Sequence, residues 1–218
     1  MTLSYLRENW DRVLDLTVDH IELSGIALAL AVMVAIPISV VVANWNPVRL
    51  PVLILLGAIY TIPSLALLAF LIPSLGLGRD PALAALAAYA QLALVRNFSA
   101  GLQGVDPQTM EAATGVGMTI PQAFLRVRLP LALPVLIAGL RIAAVSTISL
   151  ATVTAWINAG GLGSLLFDGI SRDNPSMILA GTVAITALAL AVDLLFRAVE
   201  YLTPAARAQR VGAARTAT

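Results

Sequence analysis

The stretch LSGIALALAVMVAIPISVVVA, residues 23–43, carries no charged side chain and only two hydroxyls. At 1.5 Å per residue a helix over it reaches about 30 Å, the thickness of a bilayer's hydrocarbon core. Four further stretches repeat the pattern, at 51–72, 81–101, 131–155 and 177–196. The third is interrupted by Arg96 and Asn97, and its uncharged part, 81–95, spans only ~22 Å. Arg96 can snorkel to an interface, so the segment is kept as a span. Pro37 and Pro63 lie inside apolar runs, where membrane helices tolerate them. The pattern predicts an all-α polytopic membrane protein with about five transmembrane helices.

Composition agrees. Of 218 residues 59% are hydrophobic and 11% charged, with a net charge of +1, and the mean hydropathy is +0.91. A soluble domain carries roughly 25% charged residues, so lipid must cover this surface. All 13 basic residues are arginine, which excludes the phosphate-binding lysine of a P-loop and Schiff-base chemistry. Cysteine is absent and histidine occurs once, at His20, so disulfides, thiolate catalysis and a His-rich metal site are excluded. One histidine cannot build a metal site, and His20 is expected as an interfacial residue. No basic run suggests a nucleic-acid partner.

The segment before the first span bears Glu8, Asp11, Asp15, Asp19 and Glu22, the opposite of a basic signal-peptide leader. Leu6, Trp10, Val13, Leu14, Thr17, Val18 and Ile21 share a helical face, which predicts an amphipathic lead-in over 1–22 lying on the membrane surface. Residues 202–218 have no apolar period, and no regular structure is expected there. Arginine placement sets the sidedness. Arg49, Arg96, Arg126, Arg128, Arg197, Arg207, Arg210 and Arg215 fall on one side; Arg7, Arg12, Arg79 and Arg172 fall on the other. The N terminus and the loops at 73–80 and 156–176 are then outside, with the 102–130 loop and the C terminus cytoplasmic. The 156–176 connection, with its Ala159-Gly160-Gly161-Leu162-Gly163 punctuation, reads as a surface or re-entrant turn too short to span.

The 102–130 loop is the most structured polar segment. Asp106-Pro107 is an N-cap followed by proline at the first helical position. Two turns follow, ended by Gly115 and Gly117. Thr119 then caps a second helix with Gln122 in capping-box spacing, running through Phe124, Leu125 and Val127 until Pro130 stops it. The result is a rigid two-helix knob, either a well-capped connector or a docking element for a soluble partner. Gly115-x-Gly117 is no nucleotide fingerprint, lacking a preceding strand and a third glycine.

Glu111-Ala112-Ala113, then Gly117, then Val127-x-Leu129-Pro130, resembles the EAA loop of binding-protein-dependent ABC importer permeases, with Val127 where the pattern usually has isoleucine. Thr61-Ile62-Pro63-Ser64-Leu65-Ala66-Leu67-Leu68 with Ile72-Pro73-Ser74-Leu75-Gly76-Leu77-Gly78, Arg96-Asn97 with Ala100-Gly101-Leu102, and Asn158 through Gly163 with Phe167-Asp168-Gly169-Ile170 resemble the osmoprotectant group, the permeases for glycine betaine, carnitine and choline. Tyr60 stands where many of that group have glutamine. The resemblance covers most of the chain and implies a single permease domain over 1–218 in a bacterial cytoplasmic membrane. It implies a second permease subunit, the same chain or a related one, two ATPase subunits and an extracytoplasmic substrate-binding protein, which usually carries the aromatic cage. No cofactor is expected on this chain; ATP and magnesium belong to the ATPase. The resemblance assigns ATPase coupling to Glu111, Ala112, Ala113 and Gly117, with Leu129 and Pro130 tying the loop to the fourth span.

Pathway candidates are fewer. Arg141 and Asp193 are ionisable residues deep in the fourth and fifth spans, fit for a structural pair or a pathway. Ser146, Thr147, Ser149, Thr152 and Thr154 supply hydroxyls, which commonly bond across helices or to their own carbonyls. Tyr60, Tyr89 and Trp156 are aromatic partners for a quaternary ammonium, although Trp156 and Trp45 also suit an interfacial belt. Ser64 belongs to the Thr61–Leu68 block. Alternatives are a permease for methionine or another small solute, and an ion-coupled carrier using Arg141 and Asp193 as its relay.

Overall fold

The computed structural model describes Tyr5 and residues 7–203, and every regular element among them is helical. The tail beyond 203, with Arg207, Arg210 and Arg215, lies outside the described residues. The elements are α1 (Trp10–Asn44), α2 (Asn46–Thr61), α3 (Ser64–Leu75), α4 (Arg79–Gln103), α5 (Pro107–Gly115), α6 (Ile120–Ala123), α7 (Leu129–Thr154), α8 (Gly163–Ser171) and α9 (Pro175–Leu202). A π-helical turn, Phe124–Arg128, joins α6 to α7, and a 3₁₀ turn, Ala155–Ile157, follows α7.

Among the described residues three helices are long and apolar enough to cross a membrane: α1, the continuous run Ile120–Ile157 that contains α7, and α9. The apolar stretch 51–72 is not one straight span. It divides into α2 and α3, bent by 93°, and together the pair meets the same criterion. Pro63 causes the break: it forces Ile62 into an extended conformation (φ −65°, ψ 128°), away from the helical region. The 81–101 stretch does form a long helix, α4, but Arg79, Asp80, Gln91, Arg96 and Asn97 keep it below the apolar threshold. Against the five spans expected, length and composition thus support three, or four with the bent pair.

Helix α4 is nonetheless the centre of the packing, lying against both α1 and α7. The inner face of α1 consists of Ala27, Ala31, Ala35, Ser39 and Ala43, small residues repeating every fourth position and all buried. They let α4 approach closely through Ala82, Ala85, Leu86, Ala90 and Leu94. The large side chains of α1, among them Ile26, Leu30, Met33, Val34, Ile36 and Val41, point outward. Lipid is as apolar as leucine, so bulk faces the bilayer and close packing selects small residues. Gln91 crosses the contact, donating from Nε2 to the Ala31 carbonyl at 3.0 Å.

Two expectations about the first 22 residues are corrected. Described residues 10–22 do not form a separate surface-lying helix but continue without a break into α1. Trp10, Leu14, Val18 and Ile21 are exposed, whereas Val13 and His20 are buried. His20 is not interfacial: its Nε2 lies 3.0 Å from the Ile148 carbonyl of α7. The 156–176 connection turns part of itself into the core, while Trp156 and residues 170–173 stay exposed. Leu162 and Leu165 are fully buried and pack with Val13 and Met177. Gly161 has φ +76° and leaves no room for a β-carbon beside His20. Its N–H donates to Asp19 Oδ2 at 2.5 Å.

Candidate functional site: a two-helix knob and a cleft at the helix break

The knob begins as the sequence predicts. Asp106 caps α5, accepting from the Gln108 N–H at 3.1 Å. Thr119 and Gln122 form the capping box of α6, with the Thr119 N–H donating to Gln122 Oε1 at 3.0 Å. Between them Gly117 takes φ +86°, a left-handed conformation closed by its N–H donating to the Thr114 carbonyl at 2.9 Å. Glu111 and Ala112 are exposed on α5, and the Glu111 carboxylate has no hydrogen-bond or ion-pair partner among the described residues. Ala113 is instead turned inward and buried. Val116, Ile120 and Leu125 are exposed around the elbow at 76%, 83% and 60%, an apolar rim that the motif reading does not include.

Pro130 does not end the second helix. The chain passes from α6 through the π turn into α7 without leaving the helical region. In an α-helix the Pro130 ring would meet the carbonyl four residues back. The π turn widens the ladder just before it, with the Leu129 N–H donating to Phe124 O. Leu129 is half-buried and Pro130 exposed at this joint. Arg128, one residue before, anchors the knob. Its Nε donates to the Leu102 carbonyl at 2.9 Å and its Nη1 to Asn44 Oδ1 at 2.7 Å. One guanidinium thus ties the knob to the ends of α4 and α1. In the sequence Arg128 bears only on sidedness, and its place at the foot of a capped loop is the signal that points to this anchoring role.

The second feature is a cleft of about 460 Å³ between α2, α4 and α7. Tyr60, Tyr89, Arg96, Asn97, Ser146 and Thr147 supply its polar lining. An adjoining cleft of about 410 Å³ shares Tyr60, Tyr89 and Ser146 and adds Ser64 and Ser149. The helix break builds this corner. Ile62 leaves the helical ladder, and the Tyr89 hydroxyl donates to its carbonyl. That bond fixes the Tyr89 ring against Tyr60, with centroids 5.9 Å apart and planes at 79°.

Tyr60, Ser64, Ser146 and Thr147 are therefore brought together, and Tyr89, Arg96 and Asn97 join them. Trp156, Arg141 and Asp193 line neither cleft. Trp156 is exposed on the 3₁₀ turn. Arg141 Nη1 lies 3.7 Å from Asp193 Oδ1, and Arg197 Nε donates to Asp193 Oδ2 at 2.6 Å. The carboxylate is held by two guanidiniums across α7 and α9, the arrangement of a structural ion pair.

A helical bundle whose longest helices can cross a membrane, with a capped polar knob at one end, is the architecture of a transport-system membrane subunit. Residues 35–203 match the family described as the binding-protein-dependent transport system inner membrane component, and the chain belongs to that family. Among similar proteins is the choline transport system permease protein OpuBB of Bacillus subtilis (strain 168), 39% identical with 93% of this chain and 94% of the relative covered. The carnitine transport permease protein OpuCB of Listeria monocytogenes is 38% identical, covering 94% of each. The osmoprotectant import permease protein OsmW of Salmonella typhimurium is 37% identical over 93% of this chain and 97% of its own. The fold is that of the methionine ABC transporter MetNI in an inward-facing conformation, with TM-score 0.78 at 18% identity over 88% of this chain and 95% of that one. An amino acid ABC transporter solved with histidines matches with TM-score 0.70 at 20% identity, over 93% and 96%.

Proposed function

We propose that this chain is the permease subunit of an ATP-driven importer for compatible solutes such as glycine betaine, choline or carnitine. The observation that carries the substrate class is the identity of 37–39% to choline, carnitine and osmoprotectant permeases over more than nine-tenths of the chain. The tyrosine corner of the cleft suits such solutes, because a quaternary ammonium is attracted to aromatic faces. Energy enters through the knob: exposed Glu111 and Ala112 meet a separate ATPase that holds ATP and magnesium. Buried Ala113 keeps α5 against α6, Gly117 sets the elbow, and Leu129 and Pro130 pass the motion into α7. A second permease subunit completes the pathway, and an extracytoplasmic binding protein delivers the solute. The switch is then alternating access driven by closure of the ATPase pair.

In this reading the chain crosses a bacterial cytoplasmic membrane five times, by α1, the bent α2–α3 pair, α4, α7 and α9, with the N terminus outside. An ion-coupled carrier is disfavoured by the Arg141–Asp193–Arg197 cluster, which lies outside the cleft and leaves its carboxylate doubly paired.

The test is uptake in a host deleted for its own osmoprotectant importers, expressing the chain with its ATPase and binding protein. Labelled glycine betaine or choline should accumulate in an ATP-dependent manner. Import of methionine with no import of quaternary amines would overturn the substrate class.

A further inference from the structure

We infer that the cleft between α2, α4 and α7 is a solute-binding site of the permease itself, polarised for a zwitterion: Tyr60 and Tyr89 receive the quaternary ammonium and Arg96 the carboxylate. The inference rests on the proposed substrate class and goes beyond it, because it assigns recognition to this chain in addition to the binding protein.

Three observations carry it. First, the cleft of about 460 Å³ has the size of a small-molecule site. It borders the α2–α3 break, and irregular backbone at membrane depth is tolerated where it lines a cavity. Second, the two poles are separated along one helix. Tyr89 and Arg96 lie seven residues apart on α4, two turns on one face and about 10.5 Å along the axis.

Third, Arg96, Ser146 and Thr147 of the cleft are uncommitted, whereas Tyr89 and Asn97 bond to the Ile62 and Ala93 carbonyls. The hydroxyls of Ser24, Ser39, Ser99 and Ser149 each donate to a carbonyl of their own helix. Ser146 and Thr147, which line the cleft, make no such bond among the described residues. Neither does the Arg96 guanidinium have a hydrogen-bond or ion-pair partner there. A cation without a partner among the described residues, on the wall of a cavity whose other end is aromatic, is the complement of a solute with a cationic head and an anionic tail. A carboxylate would make charge-assisted bonds to the guanidinium, with Ser146 and Thr147 beside it.

The test uses the permease with its cognate ATPase in nanodiscs, without the binding protein, and measures equilibrium binding of labelled glycine betaine and labelled choline. Choline has the ammonium head and no carboxylate. Both should bind saturably. Arg96→Gln should weaken glycine betaine by about tenfold or more and choline by less than about twofold. Arg96→Lys should restore much of the glycine betaine affinity, and Tyr60→Leu should weaken both solutes alike. Absence of saturable binding to the wild-type complex overturns the site, and equal losses for both solutes with Arg96→Gln overturn the polarity. If the complete system imports both solutes while the isolated complex binds neither, the inference falls and the proposed function stands. If the complete system imports none of glycine betaine, choline and carnitine, both fall.

Discussion

Gly117 shows how one backbone angle can carry a function. Its φ of +86° lies where L-residues other than glycine, asparagine and aspartate are rarely found. Nothing lies within 4 Å of a β-carbon placed there, so the restriction is conformational and not one of space. A β-branched residue would cost ~1–2 kcal/mol in the left-handed region and would relieve it by reorienting α5 against α6. The elbow sits outside the packed bundle, so such a variant should still fold and insert. Gly117→Val is therefore expected to abolish uptake while membrane levels on an immunoblot stay near wild type. Gly117→Asn, which tolerates the left-handed region, should keep a substantial fraction. Full uptake by Gly117→Val would remove the elbow from the coupling path.

At the scale of elements, the bend between α2 and α3 is what turns an apolar span into the wall of a cleft. Pro63 makes it by denying Ile62 a helical conformation, and the freed Ile62 carbonyl is taken by Tyr89. Pro63→Ala would allow the helix to continue and remove the acceptor that fixes the Tyr89 ring. Uptake should fall sharply with little loss of protein. Tyr89→Phe removes only the hydrogen bond, worth about 1 kcal/mol, and should lower uptake less. If Pro63→Ala transports normally, the bend is incidental. The proline was visible in the sequence, but its consequence was not, because membrane proline can kink a helix or break it according to what satisfies the freed backbone. The caps at Asp106 and Thr119 were legible for the opposite reason: capping is a local exchange between residues two or three apart. The inner face of α1 was illegible because apolar period marks the buried face only when the surroundings are water. Trp10, Leu14, Val18 and Ile21 do share a face, and that face is exposed, while His20 is buried on the other.

Across the whole molecule, polar contacts sort the connecting segments into two ends. Arg12 pairs with Asp168 at 2.7 Å, Arg79 with Glu22 at 3.0 Å, and Asp19 accepts from both Arg79 and Gly161. These gather the start of α1, the α3–α4 turn and the α7–α8 connection at one end. The Glu22 hydrogen bond is the largest cause that raises Arg79 above the ordinary guanidinium pKa. At the other end Arg128 joins the ends of α1 and α4 to the knob. This grouping is the one that arginine placement predicts, and it requires α4 to run from end to end despite its polar residues. The absence of cysteine makes the arrangement directly testable, since introduced thiols have no background. Arg172→Cys and Gln108→Cys both place a thiol at an exposed position, before α9 and on the knob respectively. A membrane-impermeant maleimide applied to intact spheroplasts should label Arg172→Cys and leave Gln108→Cys unlabelled until the membrane is permeabilised. The reverse pattern would mean that the protein is inverted or that α4 or the bent α2–α3 pair fails to cross, and in either case the knob is cut off from any cytoplasmic ATPase. Labelling of both in intact spheroplasts would mean that α7, the one crossing between the two positions, fails to span, and with it the five-span arrangement.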